Sequence, residues 1–161
     1  MEEMLKMRTL QQRLDWLAGI VDGEGCVTAM MAKRGGRDRL RFTVCISNTC
    51  EALIQEVAAI LDSVGIKYCL VLHVDGRRTR KPWTDIVIQA KDNVERVLLI
   101  LANRIVAKRA QVEIVLRMIR ERRHITVGQS DNYTTVPIGE DQIIHDGLTE
   151  LRKLNHQGIA P

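Results

Sequence analysis

No apolar run among these 161 residues reaches the roughly 18 that a membrane-spanning helix needs. No charged segment followed by an apolar stretch marks a secretory leader either. The opening residues, MEEMLKMRTLQQRL, are charged and helical in pattern. An intracellular protein is expected, in a prokaryotic cytoplasm or an organelle. The four cysteines, Cys26, Cys45, Cys50 and Cys69, show no CxxC or CxxH spacing, which argues against a zinc site and a disulfide framework. They read as reduced, small, half-buried residues. No internal repeat, low-complexity tract or linker divides the chain, so residues 1–161 are expected to form one domain. No Ser–His or Cys–His arrangement suggests a protein nucleophile.

Hydrophobic residues make up 45% of the chain, enough for one sizeable core and too many for a disordered chain. The net charge of +4 and pI near 9.0 lean weakly towards a polyanionic partner. The placement of charge says more. KRGGRDRLR and GRRTRK are dense basic clusters, each beside a strand-like run. One such loop by itself reads as a solvated loop. Two in matching places favour a shared anionic ligand.

Leu10, Leu14, Leu17 and Val21 recur at helical spacing. VTAMMAK and RLRFTVCIS then alternate around RGGRD, a hairpin signal. In the second run Leu40, Phe42, Val44 and Ile46 share one face, with Arg39, Arg41, Thr43 and Cys45 on the other. EALIQEVAAILDSVG is an amphipathic helix closed by Gly65. KYCLVLHV and WTDIVIQA form a second hairpin, in which Ile86, Ile88 and Ala90 oppose Trp83, Asp85, Val87 and Gln89. On the strand near residues 67–74 the two faces are hard to separate, so Lys67 and His73 stay unassigned. Three helices follow: DNVERVLLILANRI, VAKRAQVEIVLRMIRERR and EDQIIHDGLTELRKLN, the last two separated by a polar loop through GQSDNYTT. The order is αββαββα plus C-terminal helices. It predicts an α+β fold with one antiparallel four-stranded sheet, helices on its apolar face and a polar, basic outer face.

The stretch LAGIVDGEG, Leu17 to Gly25, places three glycines in and after the first helix. Each interior glycine costs about 1 kcal/mol relative to alanine. Gly19 and Gly23 fall on one face, four residues apart, where the missing Cβ permits close approach of another helix. Gly23 and Gly25 also serve simply to end the helix, a reading that leaves Gly19 unexplained. Glu24 stands at the helix end, beside a strand with a basic outer face. Such a carboxylate either faces water or holds a cation against phosphate. One acid makes a poor Mg²⁺ site, and a second copy of this helix packed along the glycines would bring a second Glu24.

These nine residues, with the element order that follows them, resemble the LAGLIDADG homing endonucleases. The motif occurs once, so the resemblance is to the homodimeric branch. It implies a site-specific endodeoxyribonuclease, intron- or intein-encoded, acting on a long pseudo-palindromic target. The activity uses Mg²⁺, with Mn²⁺ able to substitute. Two sheets would form a saddle over duplex DNA. Glu24, in a position where many relatives carry Asp, would bind metal with Gly23 beside it. By the same resemblance Asn48, in ISNTCE, would hold an active-site water, and Lys108, in RIVAKRAQVEIVLRMI, would be the basic residue of the site. Asn48 reads equally as a turn asparagine, Lys108 as a solvated lysine, and Arg109 is confusable with Lys108. The dimer interface would comprise Leu14, Ala18, Gly19, Asp22 and Gly23. On the sheet, Arg39, Arg41, Thr43, Asp85 and Gln89 are base-contact candidates and Thr28 and Met30 further DNA-contact candidates, while Lys33, Arg34, Arg37, Arg77, Arg78 and Arg80 on the loops suit phosphates. Two alternatives share the fold: a maturase binding intron RNA, and a DNA-binding regulator without cleavage.

Overall fold

A computed structural model of the chain describes residues 8–34, 37–75, 81–126 and 142–156, without the side chains of 33, 34, 37, 38 and 122–126. Helix α1 spans Leu10–Glu24 and starts at a reciprocal cap. The Gln12 N–H donates to Thr9 Oγ1 and the Thr9 N–H to Gln12 Oε1, satisfying two of the N–H groups that a helix start leaves unpaired. Strands β1 (Gly25–Arg34) and β2 (Arg37–Asn48) form the first hairpin. Helix α2 (Glu51–Ser63) leads to β3 (Cys69–His73) and β4 (Trp83–Ile88). Then come α3 (Lys91–Leu101), α4 (Arg109–Thr126) and α5 (Gln142–His156). Gly65 closes α2 at φ +68°, a conformation that favours glycine.

The four strands make one antiparallel sheet in the order β1-β2-β4-β3. Leu40, Phe42, Val44 and Ile46 of β2 are buried, as are Val27 and Ala29 of β1 and Ile86 and Ile88 of β4. They face a helix layer to which α1 contributes Leu14, Leu17, Ala18 and Val21. The expected α+β order is therefore the observed one. Helix α5 completes the layer on β1 and α4. Its Gly147 lies so close to α4 that a Cβ there would stand 2.7 Å from Met118 Sδ.

Several expected details differ. Leu10 is 46% exposed, because it is the first residue of α1 and precedes the turns that reach the sheet. Ala90 is exposed and caps α3 instead of extending β4, and Gln89 likewise lies past the strand's end. Cys26, Cys50 and Cys69 are exposed and only Cys45 is half-buried; all four are free thiols. Among the described residues no helix is long and apolar enough to cross a membrane.

Candidate nucleic-acid interface

The register fixes which side chains share the outer face, since directly opposed residues in an antiparallel pair point the same way. Cys26 opposes Cys45, Thr28 opposes Thr43, and Met30 opposes Arg41. Cys45 opposes Val87 and Ser47 opposes Asp85. Val71 opposes Asp85 and His73 opposes Trp83. Arg39, Arg41 and Met30 are exposed there, and Thr28 and Thr43 are half-exposed. Five DNA-contact candidates of the sheet thus share one surface. The sixth, Asp85, lies on it too, but its Oδ2 is 2.8 Å from His73 Nε2. That bond commits the carboxylate inside the protein. Gln89 is exposed beyond the strand end. The register also resolves the strand left open by the sequence: His73 belongs to the outer face. Lys33, Arg34 and Arg37 lie on strands whose side chains there fall outside the described residues, as Arg77, Arg78 and Arg80 do entirely.

Glu24 is exposed at the last residue of α1, where the chain passes directly into β1. The passage needs glycine next: a Cβ on Gly25 would lie 2.6 Å from the Val21 carbonyl oxygen, which accepts the Gly25 N–H. With the helix stopping at Glu24, the Gly23 carbonyl has no i+4 helical donor. Oxygen donors at this spot suit a hard divalent cation. Among the described residues, however, no group of three or more His, Cys, Asp or Glu could hold a metal ion.

Lys108 comes to the same helix end. Its ammonium donates to the Asp22 carbonyl, and its charge is felt at the Cys26 thiol, which burial pushes up and Lys108 pulls down. The backbone is held as well. The Asp22 carboxylate accepts from the Val106 N–H at 2.7 Å and the Lys108 N–H at 3.0 Å. Burial raises the Asp22 carboxyl, but the N–H groups of Val106, Lys108 and Ala107 and the Lys108 charge together outweigh it, leaving the pKa below its ordinary value. Arg109, the confusable neighbour, turns back to donate to the Ile105 carbonyl at 3.3 Å. Asn48 Oδ1 accepts from the Cys50 N–H at 2.8 Å, the turn role; any further role falls to its NH₂ group.

On α1, Gly19 and Gly23 are exposed, and a Cβ at either would meet nothing within 4 Å among the described residues. Leu14 and Ala18, expected at the interface, are instead 5% and 1% exposed in the chain's own core. Ala18 therefore lies on the buried side of α1 and Gly19 on its exposed side. Asp22, also expected there, spends its carboxylate on the turn before α4. Sequence reasoning missed this clamp and the His73–Asp85 pair. The clamp left one signal: an acid in a helix's last turn opposes the macrodipole and needs a partner.

Residues 11–102 match the family model described as a LAGLIDADG-like domain. Lys108 lies beyond that range. The fold resembles the homing endonuclease I-CvuI in complex with DNA, at 18% identity and TM-score 0.57, covering 91% of this chain and 97% of that one. It also resembles the homing endonuclease I-TnaI, at 16% identity and TM-score 0.55, over 89% and 86% of the two chains. For meganuclease I-SmaMI bound to uncleaveable DNA the identity is 16% and the TM-score 0.55, with 91% of this chain but 44% of that one covered. No curated protein matches the sequence.

Proposed function

Since the chain belongs to the LAGLIDADG-like domain family, we propose that it is a homing endonuclease, acting as a homodimer on a long pseudo-palindromic DNA site. The observation that carries the proposal is at the end of α1: an exposed Glu24, two exposed glycines behind it, and Lys108 held at the Asp22 carbonyl of the same helix turn. No described residue requires glycine at 19 or 23, yet each costs about 1 kcal/mol in a helix. A second α1 packed along them accounts for both and brings a second Glu24. Solved relatives of this fold include endonucleases crystallised with DNA, I-CvuI among them in the presence of 2 mM Mg or 2 mM Ca.

Two Glu24 carboxylates, the Gly23 carbonyls, DNA phosphate and water form an oxygen-only set that fits Mg²⁺, with Mn²⁺ able to replace it. The ion would stabilise the attacking and leaving oxygens of phosphodiester hydrolysis, with water as nucleophile. Lys108, fixed by Asp22, places positive charge where the transition state gathers negative charge. The Asn48 NH₂ is left to hold a water. Arg39, Arg41, Met30, Thr28 and Thr43 face base edges in the major groove, where all four base pairs differ. The basic loops, including Arg77, Arg78 and Arg80, take phosphates and set register.

A randomised duplex DNA library incubated with the protein and Mg²⁺ tests this. Sequencing of cut ends should return two half-sites related by a dyad, and EDTA should abolish cutting. Selective binding with no cutting under any divalent ion contradicts the nuclease reading and favours a regulator or maturase.

A further inference from the structure

His73, Asp85 and Trp83 form a cluster on the outer face of the sheet, of which only Asp85 was a base-contact candidate above. The His73 ring lies flat on Trp83, with centroids 4.8 Å apart and planes 10° from parallel. Its Nε2 is 2.8 Å from Asp85 Oδ2, and the side chains are 37% and 18% exposed. The second carboxylate oxygen, Asp85 Oδ1, is buried without a hydrogen-bond partner among the described residues. Leaving a buried acceptor unpaired is unfavourable for folding. The arrangement makes better sense as a device that fixes the imidazole. A carboxylate only accepts, so Nε2 carries the proton, and Nδ1 of the neutral ring is an acceptor. No described residue bonds that Nδ1.

In the major groove, adenine N6 and cytosine N4 are donors, while guanine N7 and O6 and thymine O4 are acceptors. A neutral imidazole locked in this tautomer attracts the first pair and repels the second. We propose that His73 is a specificity-determining residue that accepts a hydrogen bond at Nδ1 from an adenine or cytosine amino group, with Asp85 and Trp83 as its positioning residues. The inference rests on the nuclease reading above, with the outer face against DNA. It also reassigns Asp85, which orients the reader instead of reading.

The test is binding selection from a randomised duplex DNA library at mildly alkaline pH. Wild-type protein should enrich A or C over G or T about tenfold at one position in each half-site, the scale of one hydrogen bond. His73→Phe keeps a ring against Trp83 but has no nitrogen, so preference at that position alone should vanish. Asp85→Asn can donate from its amide and so permits the other tautomer, in which Nδ1–H donates. It should admit G and T at the same position, a change that a merely structural carboxylate would not produce. His73→Gln both donates and accepts, and should admit all four bases there if His73→Phe folds poorly. An unchanged profile in the His73 variants, or equal weakening on every sequence, overturns the inference and leaves the nuclease reading standing. Wild-type protein that retains no preferred sequence overturns the nuclease reading itself, and this inference with it.

Discussion

At Asp22 a carboxylate stands in the last turn of a helix, where the peptide dipoles disfavour it. The structure explains its presence through residues 84 and 86 positions away in sequence, whose N–H groups it accepts. Lys108 returns the interaction by donating to the Asp22 carbonyl. A negative group thus sits at the entry to α4 and a positive one at the exit of α1, both favourable to the dipoles they meet. Asp22→Asn should therefore lower stability by about 1–2 kcal/mol, since hydrogen bonds to a charged acceptor are lost while solvent screening limits their worth. Because the folded pKa is depressed, this contribution is fully present above the carboxyl's ordinary range and is lost as pH falls through the folded value. Urea unfolding across an acid series reads it out: the wild-type advantage over Asp22→Asn should shrink below the ordinary value of 3.8. An advantage that stays constant down to strong acid contradicts the clamp. No local pattern revealed this contact, because it depends on the chain returning to α1 after β4 and α3. The short strand β3 hid its polarity for another reason. Its residues Cys69–Leu72 are exposed, so alternation carried no burial signal until the register with β4 was known.

Helix α1 has two faces, one buried and one exposed. Leu14, Leu17, Ala18 and Val21 fill the core, while Gln12, Asp15, Gly19 and Gly23 are exposed. Arg104 braces the exposed side by donating to Asp15 Oδ1 at 2.8 Å, and Arg13 ties the helix to Glu56 of α2 at 3.2 Å. The motif helix is thus tied at two points to other elements of its own chain. Since open space surrounds a Cβ at Gly19, Gly19→Leu should leave the fold intact and prevent only the close approach of a second helix. Sedimentation should find a folded monomer where the wild type is a dimer. A Gly19→Leu dimer of wild-type affinity, or a wild type that stays monomeric at micromolar concentration, counts against the seam. The periodicity of α1 and the strict alternation of β2 were legible because burial on one face imposes each pattern. The start of α4 was not. It begins at Arg109, three residues after the apolar run suggests, because Asp22 holds Val106–Lys108 as a turn.

Across the whole molecule, charge and shape are divided by the sheet. Helices bury one side, and the outer side carries Arg39, Arg41, Met30 and the His73 cluster, with Glu24 and Lys108 where α1 meets β1. Arg41 stands on a strand between buried Leu40 and Phe42, so its Cα position is fixed by the core beneath it. Arg41→Ala should relax preference at one base pair per half-site and cost about 1–3 kcal/mol there, measured by competition binding against single-base variants of the selected site. Equal weakening on every sequence would instead make Arg41 a phosphate contact. The sequence could indicate which residues share this face, since alternation alone decides it. It could not show that Asp85 is already occupied, because that depends on the pairing of two strands ten residues apart.

The most direct test of the account is Glu24→Gln, which preserves shape and hydrogen bonding but removes the charge from both copies of the site at once. Binding to the selected DNA should persist or strengthen, because a carboxylate beside phosphate is repulsive. Cleavage should fall below detection with either Mg²⁺ or Mn²⁺, in a gel assay run beside wild type with and without EDTA. Cutting by Glu24→Gln at the wild-type rate would show that Glu24 is only a solvated residue at a helix end, and would contradict the proposed metal site.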